Sequence, residues 1–292
     1  MEISTRRKLL VTGILAMAWC GNAYAVSIPD VSIYNIQYVD LSGPHDEDKD
    51  NSPYDGQTVN CRGGIVTHIF ERSVPKLVLV DPNNPTSWGG ITVRGLLGPN
   101  TFAGLSVGDR VDFTDVLVEE FYGSTFLQYG DSSYPGYDFT KVSSGNPVPP
   151  PVVVTLDEIA APVEGPPGDW TVSAYSAEPY EGMWCKVEDV TVTAMDLGKA
   201  DDNYNLHNAD GDAWASDYMN ADKGASDLYH PDVYLGQHFA SVTGVIEQYS
   251  KLASGWDYYQ LLTSGSGDLV VPEPATALLF LVPMALMRRK RG

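Results

Sequence analysis

Cysteine is scarce in this chain: 3 residues in 292, at Cys20, Cys61 and Cys185. That excludes a small scaffold stapled by many disulfides. Basic residues are few as well, 18 Lys and Arg against 38 Asp and Glu, for a formal net charge of −20. A field of that sign repels phosphate backbones, so no strong nucleic-acid binding is expected, because non-specific binding rests on Lys and Arg displacing counterions. No HExxH, Walker loop or CxxC pair occurs, which leaves zinc-protease, P-loop and dithiol chemistry without residues to carry them. The five histidines, His45, His68, His207, His230 and His238, are scattered, and none is spaced from another as zinc ligands on one element would be. The reading is a non-enzymatic protein without a cofactor.

What is present begins with an export signal. Arg6, Arg7 and Lys8 precede an apolar stretch from Leu9 to Ala18, and Ala23-Tyr24-Ala25 places small residues at alternate positions, as signal peptidase requires. Residues 1–25 are therefore read as a cleaved signal helix that takes Cys20 with it. Trp19 before that cysteine argues against a lipoprotein box. The span from Val26 to about Pro274 then holds 37 acidic and 11 basic residues, about −26. Its length suits two domains.

A duplication runs through that span. Ser52–Val59 (SPYDGQTV) is echoed by Glu178–Cys185 (EPYEGMWC), VSIYNI from Val31 by VTLDEI from Val154, and LSVGDRVDFTDVLVEEF from Leu105 by YLGQHFASVTGVIEQY from Tyr234. Each unit carries five strand patterns. In the first they are Gln57–Phe70, broken by Gly63-Gly64 and so bent, then Lys76–Val80, Gly90–Arg94, Arg110–Glu119 and Thr125–Tyr129. In the second they are Met183–Ala194, Tyr204–Asn208, Trp214–Met219, Phe239–Gln248 and Tyr258–Leu262. Five strands with a long, bent first one predict an all-β chain of two tandem OB-fold-like Greek-key barrels. A helical turn precedes each, capped at Ser32 and, through a Thr155-x-x-Glu158 capping box, at Thr155. Ile33 and Ile36, like Leu156 and Ile159, then plug one end of their barrels. The domains are residues 26–142, a Pro-rich connector at 143–153 and residues 154–270. Aligning the copies sets Cys185 opposite Val59 and Cys61 opposite Val187, which makes each thiol a small core hydrophobe in its own barrel, although an exported chain permits a disulfide.

The runs Ser32–Gln37, Ser52–Val59 and Val107–Val111 resemble the OB-fold-like barrel regions of secreted bacterial proteins, including those flanking the catalytic domain of extracellular nucleases. The resemblance implies a barrel scaffold and, as an alternative function, an extracellular nucleic-acid-binding accessory. The activity of such nucleases resides in an attached catalytic domain that this chain has no room for.

Aromatic residues are abundant, with 17 Tyr and 6 Trp. Trp88 and Trp214 fall at matched places after the second strand of each unit, and Phe121-Tyr122 match Tyr249 at the end of the fourth. These five are the candidate ligand-binding residues, either as barrel caps or as a stacking face, and the net charge favours a glycan over a single-stranded nucleic acid. Asp46, Asp48 and Asp50 alternate as in the opening of a calcium loop, but Asn51 and Gln57 stand where Gly and Glu belong, so a solvated loop is the default and no metal is assigned.

The chain ends in an apolar stretch, Ala275 to Met287, too short to cross a hydrocarbon core of ~30 Å as a helix and interrupted by Pro283. With Val271-Pro272-Glu273-Pro274 before it and Arg288-Arg289-Lys290-Arg291 after it, residues 271–292 resemble a PEP-CTERM sorting signal. The resemblance implies transient membrane insertion of that apolar helix, processing by an exosortase, and release to the cell surface or extracellular matrix, where such proteins are associated with exopolysaccharide and biofilm.

Overall fold

The computed structural model describes residues 28–42, 50–130, 137–165, 169–172, 174–198, 202–217, 219 and 233–272. The signal and most of the sorting segment, with Glu273, Pro274 and the basic cluster at Arg288, Arg289, Lys290 and Arg291, lie outside the described residues, as do Asp46 and Asp48. Among the described residues no helix is long and apolar enough to cross a membrane.

The elements of the first unit are β1 (Asp30–Val31), α1 (Ile33–Gln37), β2 (Thr58–Phe70), β3 (Lys76–Val80), β4 (Gly90–Gly95), β5 (Arg110–Phe121), β6 (Ser124–Tyr129) and β7 (Asp138–Ser143). Those of the second are β8 (Val152–Val153), α2 (Leu156–Ile159), β9 (Val163–Glu164), β10 (Trp170–Thr171), β11 (Trp184–Leu197), β12 (Asn203–Asn208), β13 (Gly211–Ser216), β14 (His238–Lys251), β15 (Trp256–Leu262) and β16 (Leu269–Val270). In the first unit β2, β3 and β4 form an antiparallel meander, β4 runs parallel to β6, β6 pairs antiparallel with β5, and β5 returns to β2 and closes the ring. The second unit closes identically through β11, β12, β13, β15 and β14. Both are five-stranded OB-like barrels.

Closure needs a first strand that reaches two neighbours on different sides of the barrel, and hence a bend. Gly63, at φ 74°, supplies it in β2, where the register against β5 shifts between Cys61 and Gly64. A Cβ on Gly63 would stand 2.6 Å from the Arg110 guanidinium. The corresponding residue of β11 is Asp189, which adopts φ 54° with no glycine to mark it.

Hydrogen bonds confirm the repeat. Gly56 N–H donates to the Val118 carbonyl and Gly182 N–H to that of Ile246, both at 2.9 Å. Gly108 N–H likewise donates to Val66 and Gly236 to Val192. The caps form as the residues imply: Ser32 Oγ accepts from Asn35 N at 3.2 Å, and Glu158 Oε2 accepts from Thr155 N at 2.8 Å. Ile33 and Ile36 are buried in the core of the first barrel, Leu156 and Ile159 in that of the second. Full burial of such a side chain contributes about 1.5–3 kcal/mol.

Cys61 and Cys185 are free thiols, each buried in its own core. Burial pushes the Cys61 thiol up to about 12 and raises that of Cys185 further. The third strand of the second barrel departs from expectation. It spans Gly211–Ser216 rather than Trp214–Met219, because the β12–β13 connection is a tight hairpin in which Asn208 faces Gly211.

Candidate ligand-binding cleft between the barrels

The two barrels share a seam. Phe70 and Val78 of the first pack with Met219, Val245 and Leu262 of the second, and His68 meets Trp184 edge to face at 5.3 Å. Burial holds the His68 imidazole below its ordinary range, so the ring packs as a neutral group. Ser124 Oγ donates to the Gln248 carbonyl and accepts from Gln248 N, at 2.8 and 3.0 Å. Ser250 N donates to the Tyr122 carbonyl at 2.6 Å. Gln37, buried at the end of α1, donates through Nε2 to both the Gly90 and Glu181 carbonyls, at 2.8 and 3.3 Å.

Divergence of the repeat builds part of this seam. The motif acid of the first copy, Asp55, accepts from Glu120 N within its own barrel at 2.9 Å. Its counterpart Glu181, one methylene longer, reaches the other barrel and accepts from Thr125 N at 2.8 Å. Glu120 accepts from Ser52 N and Thr125 Oγ1, and Glu178 from the Tyr259 hydroxyl. Loss of water raises all three glutamates, Glu120 to about 7 and Glu178 and Glu181 well above the usual carboxylate range, with mutual repulsion adding to it.

Beside the seam opens a cleft of ≈ 330 Å³ lined by both barrels. Its aromatic wall is Phe121, Tyr122 and Phe126 from the first barrel and Tyr249 and Tyr258 from the second. Tyr122 bridges the two sets, with its centroid 4.4 Å from that of Phe121 and 5.3 Å from that of Tyr249. Asn203, Gln248 and Gln260 place planar amides in the same space, Asn203 Nδ2 donating to Gln260 Oε1 at 2.7 Å. Three cations, Arg72, Lys76 and Arg94, line it together with two acids, Asp202 and Glu247. The Arg94 guanidinium lies 3.8 Å above the Phe121 ring, and Lys76 is ion-paired with Glu247 across the barrels, their side chains only 12% and 11% exposed.

Of the five aromatic residues singled out from the sequence, Phe121, Tyr122 and Tyr249 thus converge on one cleft. Tyr122 is 40% exposed. Trp88 and Trp214 are not equivalent positions. The strand registers make Trp214 the counterpart of Thr92 in β4, whereas Trp88 precedes that strand. Trp214, 2% exposed, belongs to a buried aromatic cluster with Tyr249 and Tyr258. Trp88 N donates to the Pro179 carbonyl at the seam, and its ring meets Tyr38 edge to face at 5.4 Å. Lengthening of the loop before β4 displaced that residue, which pattern alignment cannot register.

The polar lining, Arg72, Lys76, Arg94, Asn203, Gln248 and Gln260, was not singled out. Its one signal was the rarity of cations, since three of so few gather here. Asp50 is buried and accepts from Gln248 Nε2 at 3.4 Å, so it serves the seam. His207 and His238 pair with Asp212 and Asp189, and no group of three metal-ligating side chains occurs among the described residues. One G-x-S-x-G string, Gly104–Gly108, does occur in the chain. It forms the exposed loop entering β5, with Ser106 N bonded to Asp109 Oδ2, and lacks the strand-to-helix elbow that such a nucleophile requires.

No family model and no curated protein matches the chain. Among solved structures, an OB domain from Methanosarcina mazei is similar over 31% of this chain and 76% of its own, at 18% identity and a TM-score of 0.23. An OB domain from Thermoplasma acidophilum covers 41% and 93%, at 20% identity and 0.24. A replication protein A heterotrimer bound to single-stranded DNA covers 89% and 73%, at 13% identity and 0.21. Likeness this remote carries no argument about ligands, and the barrel assignment stands on the strand pairings themselves.

Proposed function

We propose that the chain is an exported, non-enzymatic surface or matrix protein whose inter-barrel cleft binds carbohydrate. Signal peptidase removes residues 1–25, and an exosortase processes the segment that begins at Val271-Pro272 after transient insertion of its apolar stretch. The observation that carries the binding reading is the cleft itself. Tyr122, Phe121 and Tyr249 line it together with the amides of Asn203, Gln248 and Gln260, a mixture of apolar rings and fixed hydrogen-bonding groups of the kind that suits a sugar ring. A volume of ≈ 330 Å³ accommodates one or two such rings.

Retention on immobilised polysaccharide, with Tyr122→Ala weakening it at least tenfold, is the expected result. Equal retention of the variant would refute the cleft. A second reading, an extracellular accessory that binds single-stranded nucleic acid, is favoured by Arg94 stacked on Phe121, since strands combine cations with aromatic platforms. A clear mobility shift of single-stranded DNA at low salt would support it. Intact-mass analysis of the surface-exposed protein tests the sorting, since a mature form still ending at Gly292 is incompatible with it.

A further inference from the structure

We propose that the seam is a proton-operated latch. The barrels stay docked while the carboxyl groups of Glu120, Glu178 and Glu181 hold their protons, and they part, each barrel intact, once those protons leave. Nothing in this depends on which ligand the cleft takes.

Thr125 stands at the centre of the cluster. Its N–H donates to Glu181 Oε1 of the second barrel at 2.8 Å, and its hydroxyl donates to Glu120 Oε1 of its own barrel at 2.6 Å. Two carboxyl groups from opposite sides of the seam are thus held by one residue. The second oxygen of each, Glu120 Oε2 and Glu181 Oε2, is buried without a hydrogen-bond partner among the described residues. An ionised carboxylate forfeits much of its hydration in that state, whereas a neutral carboxyl group loses far less. Glu178, as buried as Glu181, accepts from the Tyr259 hydroxyl of β15 at 2.7 Å. The other titratable groups facing the three are acids as well, Asp50 and Asp55 from the loop before β2, with Asp257 of β15 on the far side of Gln248. Like charges gathered this closely oppose ionisation of all three at once.

Burial raises Glu120 to about 7 and raises Glu178 and Glu181 well above the usual carboxylate range. When the barrels part, water returns and each group falls back toward its ordinary value of about 4.3. A carboxyl group raised in this way favours docking fully below that value and ceases to as pH rises through the docked one. Glu120 alone then weakens docking by up to about a hundredfold between pH 4 and pH 8. His68, at the same seam, works in the opposite sense, because burial holds it neutral and its contribution is lost as pH falls. It cannot produce a loss of docking toward alkaline pH. Both barrels wall the cleft, so separation opens it and releases what it holds.

The test is amide hydrogen exchange of the protein from pH 5 to pH 8, corrected for the intrinsic pH dependence of exchange. Thr125, Gln248, Ser250 and Trp88 donate their N–H groups across the seam, whereas Gly108 and Gly236 donate within their own barrels. Protection of the first four should fall at least tenfold over that range while Gly108 and Gly236 stay protected. Glu120→Gln, which keeps an acceptor for Ser52 and Thr125, should cut the pH dependence at the seam severalfold, and Glu181→Gln should do the same if the first variant does not fold. Seam protection that stays level with pH, or that falls together with that of Gly108 and Gly236, overturns the latch. So does a full alkaline loss in a folded Gln variant.

Discussion

Gly90 and Gly182, one from each barrel, meet backbone to backbone. A Cβ on Gly182 would stand 2.8 Å from the Gly90 carbonyl carbon, and one on Gly90 would press closer still on the Gly182 peptide. Gly182 also adopts φ 67°, as its repeat partner Gly56 adopts φ 72°, but a Cβ on Gly56 would meet nothing within 4 Å. One glycine of the repeat serves a turn alone, and the other serves a turn and a seam.

Substitution by alanine separates those two roles. Gly56→Ala should cost about 1 kcal/mol, the penalty of a left-handed backbone for an L-residue. Gly90→Ala, at ordinary φ, should cost about 2 kcal/mol or more through overpacking, and small-angle scattering should show the barrels spread. Urea melts that place Gly90→Ala no lower than Gly56→Ala would contradict the close approach.

The ion pair between Lys76 and Glu247 is mostly buried. Removing one partner takes a mostly buried ion pair from the other, so Lys76→Met should destabilise by up to about 3–5 kcal/mol. Lys76→Met with Glu247→Leu should recover most of that loss, as read by thermal melts of the two variants at one pH.

The carboxylates of the seam make stability depend on pH. Burial raises Glu120 to about 7, with Asp55 and Asp50 near it, and raises Glu178 and Glu181 well above the usual carboxylate range, with repulsion from neighbouring acids adding to it. A raised carboxyl binds its proton more tightly in the folded state, so its contribution is fully present below about 4.3, the unfolded value, and is lost as pH rises through the folded one. For Glu120 the loss is on the order of 3 kcal/mol. Opposing this, Glu158 is held low by bonds from Thr155 and Tyr180 that outweigh its burial, and its contribution disappears only in stronger acid. Tm should therefore peak near pH 5 and fall toward pH 8, with Glu120→Gln flattening the decline. A Tm that climbs steadily from pH 5 to 8 would rule this out.

Both thiols are buried and held protonated. Neither Cys61 nor Cys185 should react with iodoacetamide in the native protein, and both should in urea. Cys61→Val and Cys185→Val should each change stability by less than about 1.5 kcal/mol, as volume-conserving core swaps do. Rapid native labelling at either site would show that its barrel opens.

Most of the scaffold is readable from periodicity, because a barrel strand buries alternate residues and its turns need special φ values. KLVLV is strand β3 to the residue, Gly63 is the bend, and Ser32 and Thr155 are the caps. The short strands β1, β8 and β16 leave no such mark, since two residues borrow their conformation from the edge they join. Asp189 of β11 adopts φ 54° where the first copy has Gly63, and since a short polar side chain tolerates that left-handed backbone no glycine marks the position.

The sequence by itself determined the duplication, the two barrels and their buried thiols, all of which follow from periodicity within each copy and from the match between the two. Only the tertiary structure decided the cleft. Lys76 and Glu247, or Thr125 and Glu181, meet because one barrel is docked against the other, and docking depends on surface complementarity between distant segments that no local period encodes. That is why Tyr122 and Tyr249 became neighbours across a cleft while Trp88 and Trp214 came to occupy unrelated places.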